Sequence, residues 1–135
     1  MPLMAMDAYQ TANAPAEKYI ALGERCLDKG WSNAFRKVYA AAGIAIPPAN
    51  LIRLGDLHLE HEDLDDARDA FDEAGAPPER YLALGDRYLA RWDLRAAEAA
   101  YVEGGTPPAK LLAIGDRYLA GDDLHAASRI YDMVD

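Results

Sequence analysis

The chain of 135 residues is half apolar and carries a net charge of −9. That is enough material for one domain with a buried core and the wrong balance for nucleic acid, whose phosphates need a basic stripe. Cys26 is the only cysteine, so no internal disulfide can form and an oxidising compartment has no support. No apolar run approaches the length of a membrane span. The opening MPLMAMDAYQ, with Asp7 and no basic residue, does not read as a signal peptide. The expectation is a cytoplasmic protein with neither membrane nor nucleic-acid partners.

In chain order, the first element is a helix whose segment DAYQTANAP, from Asp7, lines up with DAFDEAGAP, from Asp69. It reads as the second half of a repeating unit, spanning residues 1–14. Full units follow at 15–46, 47–76, 77–106 and 107–135. Pro47-Pro48, Pro77-Pro78 and Pro107-Pro108 are thirty residues apart, as are Gly55, Gly85 and Gly115. The unit from Pro15 is two residues longer, with the extra length near Ile44–Ile46, and around Trp31 its register is open by one residue.

Each unit predicts two short helices. Proline opens the first, where its fixed φ suits the first turn and its missing N–H costs nothing. Tyr81, Leu84, Gly85 and Tyr88 then follow the i, i+3, i+4, i+7 spacing of one helical face. Asp63, Asp93 and Asp123 stand where a cap for the second helix is wanted. That helix buries Leu94, Ala97 and Tyr101, whose counterparts are Leu64, Ala67, Phe71 and Leu124, Ala127, Tyr131. Gly43, Gly75 and Gly105, and Asn13 in the half unit, fit a left-handed C-terminal residue. A pair of helices this short cannot bury its own apolar face, so the units must stack. The fold expected is all-α: a single solenoid domain over 1–135 of stacked antiparallel helix pairs, about four and a half repeats and nine helices.

The order Tyr81, Leu84-Gly85, Tyr88, Ala97, Tyr101, with proline opening the next unit, resembles a tetratricopeptide repeat over essentially the whole chain. It departs from that family in a period of thirty rather than thirty-four, and in carrying Glu62 or Trp92 where the turn between the two helices usually has glycine. Sel1-like and pentatricopeptide-like stacks share the pattern, though the latter read single-stranded RNA with a basic surface that this chain lacks.

The recurrent Gly-Asp pair is costly in a helix, glycine by about 1 kcal/mol relative to alanine. Gly85, facing Ala97, is expected to let the two helix axes approach closely. The acid interrupts a second apolar stripe: Ile20–Glu24–Leu27, Ile52–Asp56–Leu59, Leu82–Asp86–Leu89 and Leu112–Asp116–Leu119. A carboxylate between aliphatic side chains needs a partner, and two readings stand. The resemblance implies that this stripe lines the groove in which tetratricopeptide arrays hold extended peptides, so the ligand is a protein or peptide segment with Lys or Arg among apolar residues. In the other reading Arg25, Arg87 and Arg117, directly after the acids, and Arg53, three before Asp56, satisfy the carboxylates as a ladder of ion pairs between repeats.

Nine acids against one base, Arg68, lie between Asp56 and Glu73, and read as a solvated helix face. His58 and His61 share a face with acids nearby, as a metal site would. His58 nonetheless falls in the column of Cys26, Tyr88 and Tyr118, so a packed histidine and no metal is the expectation. Trp31 and Trp92 fall at turns where partial exposure suits contact residues. No phosphate loop, nucleophile elbow or acid–base pair is present, so neither catalysis nor a cofactor is expected. Met4, Met6 and Tyr9 at one end and Ile130 and Met133 at the other lack a polar capping helix. Such ends suit self-association, a partner that docks there, or a fragment of a longer array; the second functional reading is a structural protein that self-associates through its terminal helices as a homo-oligomer, with no peptide ligand.

Overall fold

The computed structural model describes residues 2–12 and 14–134. Among these the chain forms nine α-helices: α1 (Pro2–Ala12), α2 (Ala16–Asp28), α3 (Ser32–Ala42), α4 (Pro48–Glu60), α5 (Leu64–Ala74), α6 (Pro78–Ala90), α7 (Leu94–Glu103), α8 (Pro108–Ala120) and α9 (Leu124–Val134). The fold is all-α, a lone helix followed by four helical hairpins whose members, α2 with α3 through α8 with α9, pack on one another. No helix among the described residues is long and apolar enough to cross a membrane.

Prolines 48, 78 and 108 open α4, α6 and α8. Asp93 and Asp123 cap the following helices, their Oδ1 atoms accepting the backbone N–H of Ala96 at 3.3 Å and of Ala126 at 3.1 Å. Gly43 and Gly75 take the left-handed conformation past α3 and α5. At α7 the helix ends one residue earlier, its C-cap Gly104 having φ −79°, and the positive φ falls on Gly105 at 107°; Asn13 lies outside the described residues. The two additional residues of the first full unit lengthen the connection between Gly43 and Pro48, where Ile44 and Ile46 pack against the core.

The turn inside each hairpin resolves the register at Trp31. Gly30, Glu62, Trp92 and Asp122 all have positive φ, from 60° to 76°, and each stands seven residues after its repeat's glycine. Gly30 is therefore the turn residue and Trp31 the helix-capping position. A left-handed residue other than glycine costs about 1–2 kcal/mol. Replacing the exposed Glu62 by glycine should relieve that strain, and the added freedom of the unfolded chain takes back part of the gain. The expected outcome is a Glu62→Gly variant more stable by up to about 1 kcal/mol in urea-induced unfolding.

The helices cluster into two compact units, one ending at Ala74 and the other beginning at Gly75. In the first, α1 lies on both α2 and α3, and α2 meets α4. Its core is built from Tyr19, Cys26, Phe35, Val38, Tyr39, Leu51 and Leu54. In the second, α7 lies on α8, and Tyr81, Leu84, Ala97, Tyr101, Leu111, Ile114, Ala127 and Ile130 are buried.

Candidate functional site

The Gly-Asp pair has a physical account that differs from the expected one. Ala97 is fully buried, but the group lying on Gly85 is the ring of Tyr101. A methyl group added at Gly85 would stand 2.5 Å from Tyr101 Cδ1 and closer still to Cε1. The same contact recurs in every hairpin: Gly23 under Tyr39 at 2.6 Å, Gly55 under Phe71, and Gly115 under Tyr131 at 2.7 Å. Each glycine is a seat for an aromatic ring sixteen residues later.

The acid receives the hydroxyl of that ring. Tyr101 Oη donates to Asp86 Oδ1 at 2.6 Å, and Tyr131 Oη to Asp116 Oδ1 at 2.7 Å. Glycine and aspartate thus hold the two ends of one tyrosine. Phe71, in the second full repeat, keeps the ring without the hydroxyl.

The ladder of arginine–acid pairs takes a different form. The cation on Asp86 is Lys110 of the next hairpin, its Nζ at 2.7 Å from Oδ1 and 5.6 Å from the centroid of the Tyr101 ring. Arg117 donates instead to the Leu89 carbonyl at 3.0 Å and stacks on Trp92, 4.1 Å from its centroid. Arg53 pairs with Asp28 at 2.7 Å. The cation that crosses between repeats to Asp86 is thus a lysine at the start of the next first helix, in place of the arginine that follows that helix's acid. At the equivalent junction of the first unit, Asn50 Nδ2 donates to Tyr39 Oη at 2.9 Å. Second helices are joined by two-bond pairs, Arg36 to Glu73 and Arg129 to Glu98. The Arg36–Glu73 pair, with both side chains exposed, contributes about 0–1 kcal/mol; in the other pair the Glu98 side chain is 15% exposed.

The tyrosine pKa values follow from these contacts. Burial first, then the bond to Asp86, holds Tyr101 well above the ordinary phenol range. Burial raises Tyr39 and Tyr118, and the bond to Asp116 raises Tyr131. An acid whose folded pKa lies above its unfolded one adds stability that is complete below the unfolded value, about 10 for tyrosine, and is lost as pH rises through the folded one. The melting temperature should therefore fall above about pH 10. Tyrosinate absorbance should appear for these residues together with unfolding, and Tyr101→Phe should flatten the fall.

The apolar–acid stripes are partly open. Ile20, Ile52, Leu59, Leu82 and Leu89 are half-buried, and Glu24, Asp86 and Asp116 are exposed. Leu112 and Leu119 are 42% and 46% exposed. Leu27 belongs to the core of the first unit at 7% exposure, yet its edge lines a hollow of about 310 Å³ together with Arg53, Asp56, Leu57 and Glu60. In the first unit this brings Leu27 and Asp56 together; in the second, Leu82, Asp86 and Leu89 share α6 while Leu112, Asp116 and Leu119 share α8.

The His58 side chain is 14% exposed, with Nδ1 3.9 Å from an Asp63 oxygen. Asp66 stands close enough that single ligand atoms of the three lie within 4.8 Å of one another, while His61 is exposed. Cys26 is fully buried, and burial raises its thiol pKa, the state of an inert core cysteine. Trp31 and Trp92 are 45% and 62% exposed.

No protein-family model, curated protein or solved structure matches the chain. The helical repeat rests on the chain's own internal register and on the hairpins it forms.

Proposed function

We propose that this is a tetratricopeptide-like interaction module, without catalytic activity, that binds a basic and apolar segment of a protein along the first helices of its hairpins. The resemblance rests on Tyr81, Leu84, Gly85, Tyr88, Ala97 and Tyr101, and the turn glycine usual in that family is present as Gly30. The observation that carries the reading is the stripe on α6 and α8. Asp86 and Asp116 stand exposed between leucines, and Leu112 and Leu119 are nearly half exposed. Apolar surface beside carboxylates suits a chain that brings Lys or Arg between aliphatic side chains. Both Tyr101 and Lys110 use Oδ1 of Asp86, so a ligand cation would approach Oδ2. An extended segment advances about 3.3 Å per residue, so first helices roughly 10 Å apart select a basic residue at about every third position.

The test uses a fluorescent peptide with lysine at every third position and leucine or alanine between, beside its glutamate counterpart. Fluorescence anisotropy should show binding of the lysine peptide alone, weakening with salt. It should be lost in Leu112→Arg, a change at an exposed position that leaves the fold intact. Equal binding of both peptides, or of neither, would remove the reading.

A further inference from the structure

The second unit contains a worked example of how one hairpin seats on the next. Lys110 reaches Asp86, and Arg117 reaches the Leu89 carbonyl and the Trp92 ring. Beneath α8–α9, Leu89 and Leu94 are half-buried. Their counterparts on α8–α9 are open: Leu119 is 46% and Leu124 63% exposed. The acceptors recur there too. Asp116 stands for Asp86, the Leu119 carbonyl for that of Leu89, and Asp122 takes the place of Trp92. One aromatic seat for a cation has become a carboxylate. This face calls for a helix with two basic side chains seven residues apart, on one face two turns apart.

The chain carries such a helix. Lys18 and Arg25 stand five before and two after Gly23, as Lys110 and Arg117 stand about Gly115, and both are exposed. What lies on α2 and α3 is α1, which has the register of a second helix: Asp7-Ala8-Tyr9 matches Asp69-Ala70-Phe71. Tyr9 meets Tyr19 edge-on with ring centroids 5.7 Å apart. In the second unit the corresponding place, on the hairpin that follows, belongs to α7.

We propose that the α8–α9 face docks head-to-tail on α2–α3 of a second copy, with Lys18 and Arg25 of that copy on Asp116, Asp122 and the Leu119 carbonyl, and that α9 there displaces α1. Charge decides the orientation. Two α8–α9 faces set against each other would oppose Asp116 and Asp122 to the same acids, whereas head-to-tail docking sets them against two cations. Such an interface is heterologous and extends into open chains. In each copy α1 competes with the incoming α9, so it acts as a built-in stopper. The face shares Asp116 and Leu119 with the peptide-binding stripe, so a second copy and a peptide would compete for it, and the association test is made with no peptide present.

Sedimentation velocity over a concentration series at low salt tests it on the full chain. Tyr9→Ala loosens α1 and should associate into chains at a concentration about tenfold below the wild type. Lys18→Glu/Arg25→Glu, placed in the Tyr9→Ala background, should raise the required concentration by about tenfold or more, the loss of two ion pairs. The deciding mixture combines Tyr9→Ala/Lys18→Ala/Arg25→Ala, whose α8–α9 face is intact and whose α2 is left without charge to pair with an arginine, with Tyr9→Ala/Leu119→Arg/Asp122→Arg, whose α2 is intact. All four positions changed on the docking faces are exposed, and circular dichroism verifies that each variant folds. The mixture should give a one-to-one dimer that grows no further. A Tyr9→Ala protein that stays monomeric, association indifferent to the charge reversals, or a mixture that forms no dimer would each overturn the proposal.

Discussion

Tyr101→Ala should destabilise the unit that begins at Gly75 by about 3–5 kcal/mol, the range for removing a fully buried aromatic side chain. The ring is 0% exposed and lies on Gly85. Its hydroxyl also anchors Asp86, the acid that receives Lys110 from the next hairpin. Tyr101→Phe should behave quite differently, costing about 1 kcal/mol or less. Phe71 fills the same position on Gly55, so the ring needs no hydroxyl to pack. The Asp86 side chain is 52% exposed, so water can replace the lost donor. Urea unfolding followed by circular dichroism gives both values. A large cost for Tyr101→Phe would mean that the hydroxyl–carboxylate bond, rather than the ring on the glycine, holds the hairpin together.

Much of this architecture was legible in the sequence because the signals recur with the repeat. Proline at the first turn, aspartate at the cap and glycine past the second helix are local rules, and a thirty-residue period repeats them until they cannot be mistaken. What the period did not supply is which side chain crosses from one helix to the other. Ala97 was the expected neighbour of Gly85, since small residues on facing helices suggest close approach. A long helical side chain, however, covers the turn before its own Cα, so the Tyr101 ring sweeps back over the level of Ala97 and reaches the glycine first. The signal was present, for an aromatic residue follows each glycine by sixteen positions in all four hairpins: Tyr39, Phe71, Tyr101 and Tyr131.

The partner of the acid was hidden for a related reason. Lys110, twenty-four residues on, is brought against Asp86 by the stacking of one hairpin on the next, and nothing within one repeat tells that this lysine rather than Arg117 makes the crossing. Stacking geometry, absent from any single repeat, decides these contacts. It also decides that Leu27 is buried while its counterpart Leu119 is open.

Gly85→Ala should destabilise the protein, by about 1–3 kcal/mol, although the same exchange in a helix interior ordinarily stabilises by about 1 kcal/mol. The reversal of sign is the diagnostic. A methyl group at that position meets two ring carbons of Tyr101 at or inside 2.5 Å, so either the ring leaves its rotamer or the two helices separate, and both disturb a close-packed core. The origin of the cost can be isolated with a second substitution. In a Tyr101→Ala background the ring is gone, and Gly85→Ala should become neutral or stabilising because only the helix propensity remains. The difference between the two backgrounds is the coupling energy of glycine with ring, and its sign separates steric seating from any backbone need for glycine, since Gly85 lies within α6. A Gly85→Ala that destabilises equally in both backgrounds would show that the glycine serves something other than the ring. The same pair of measurements at Gly55 and Phe71 should give the same sign, because the contact there is made without a hydroxyl and is no looser.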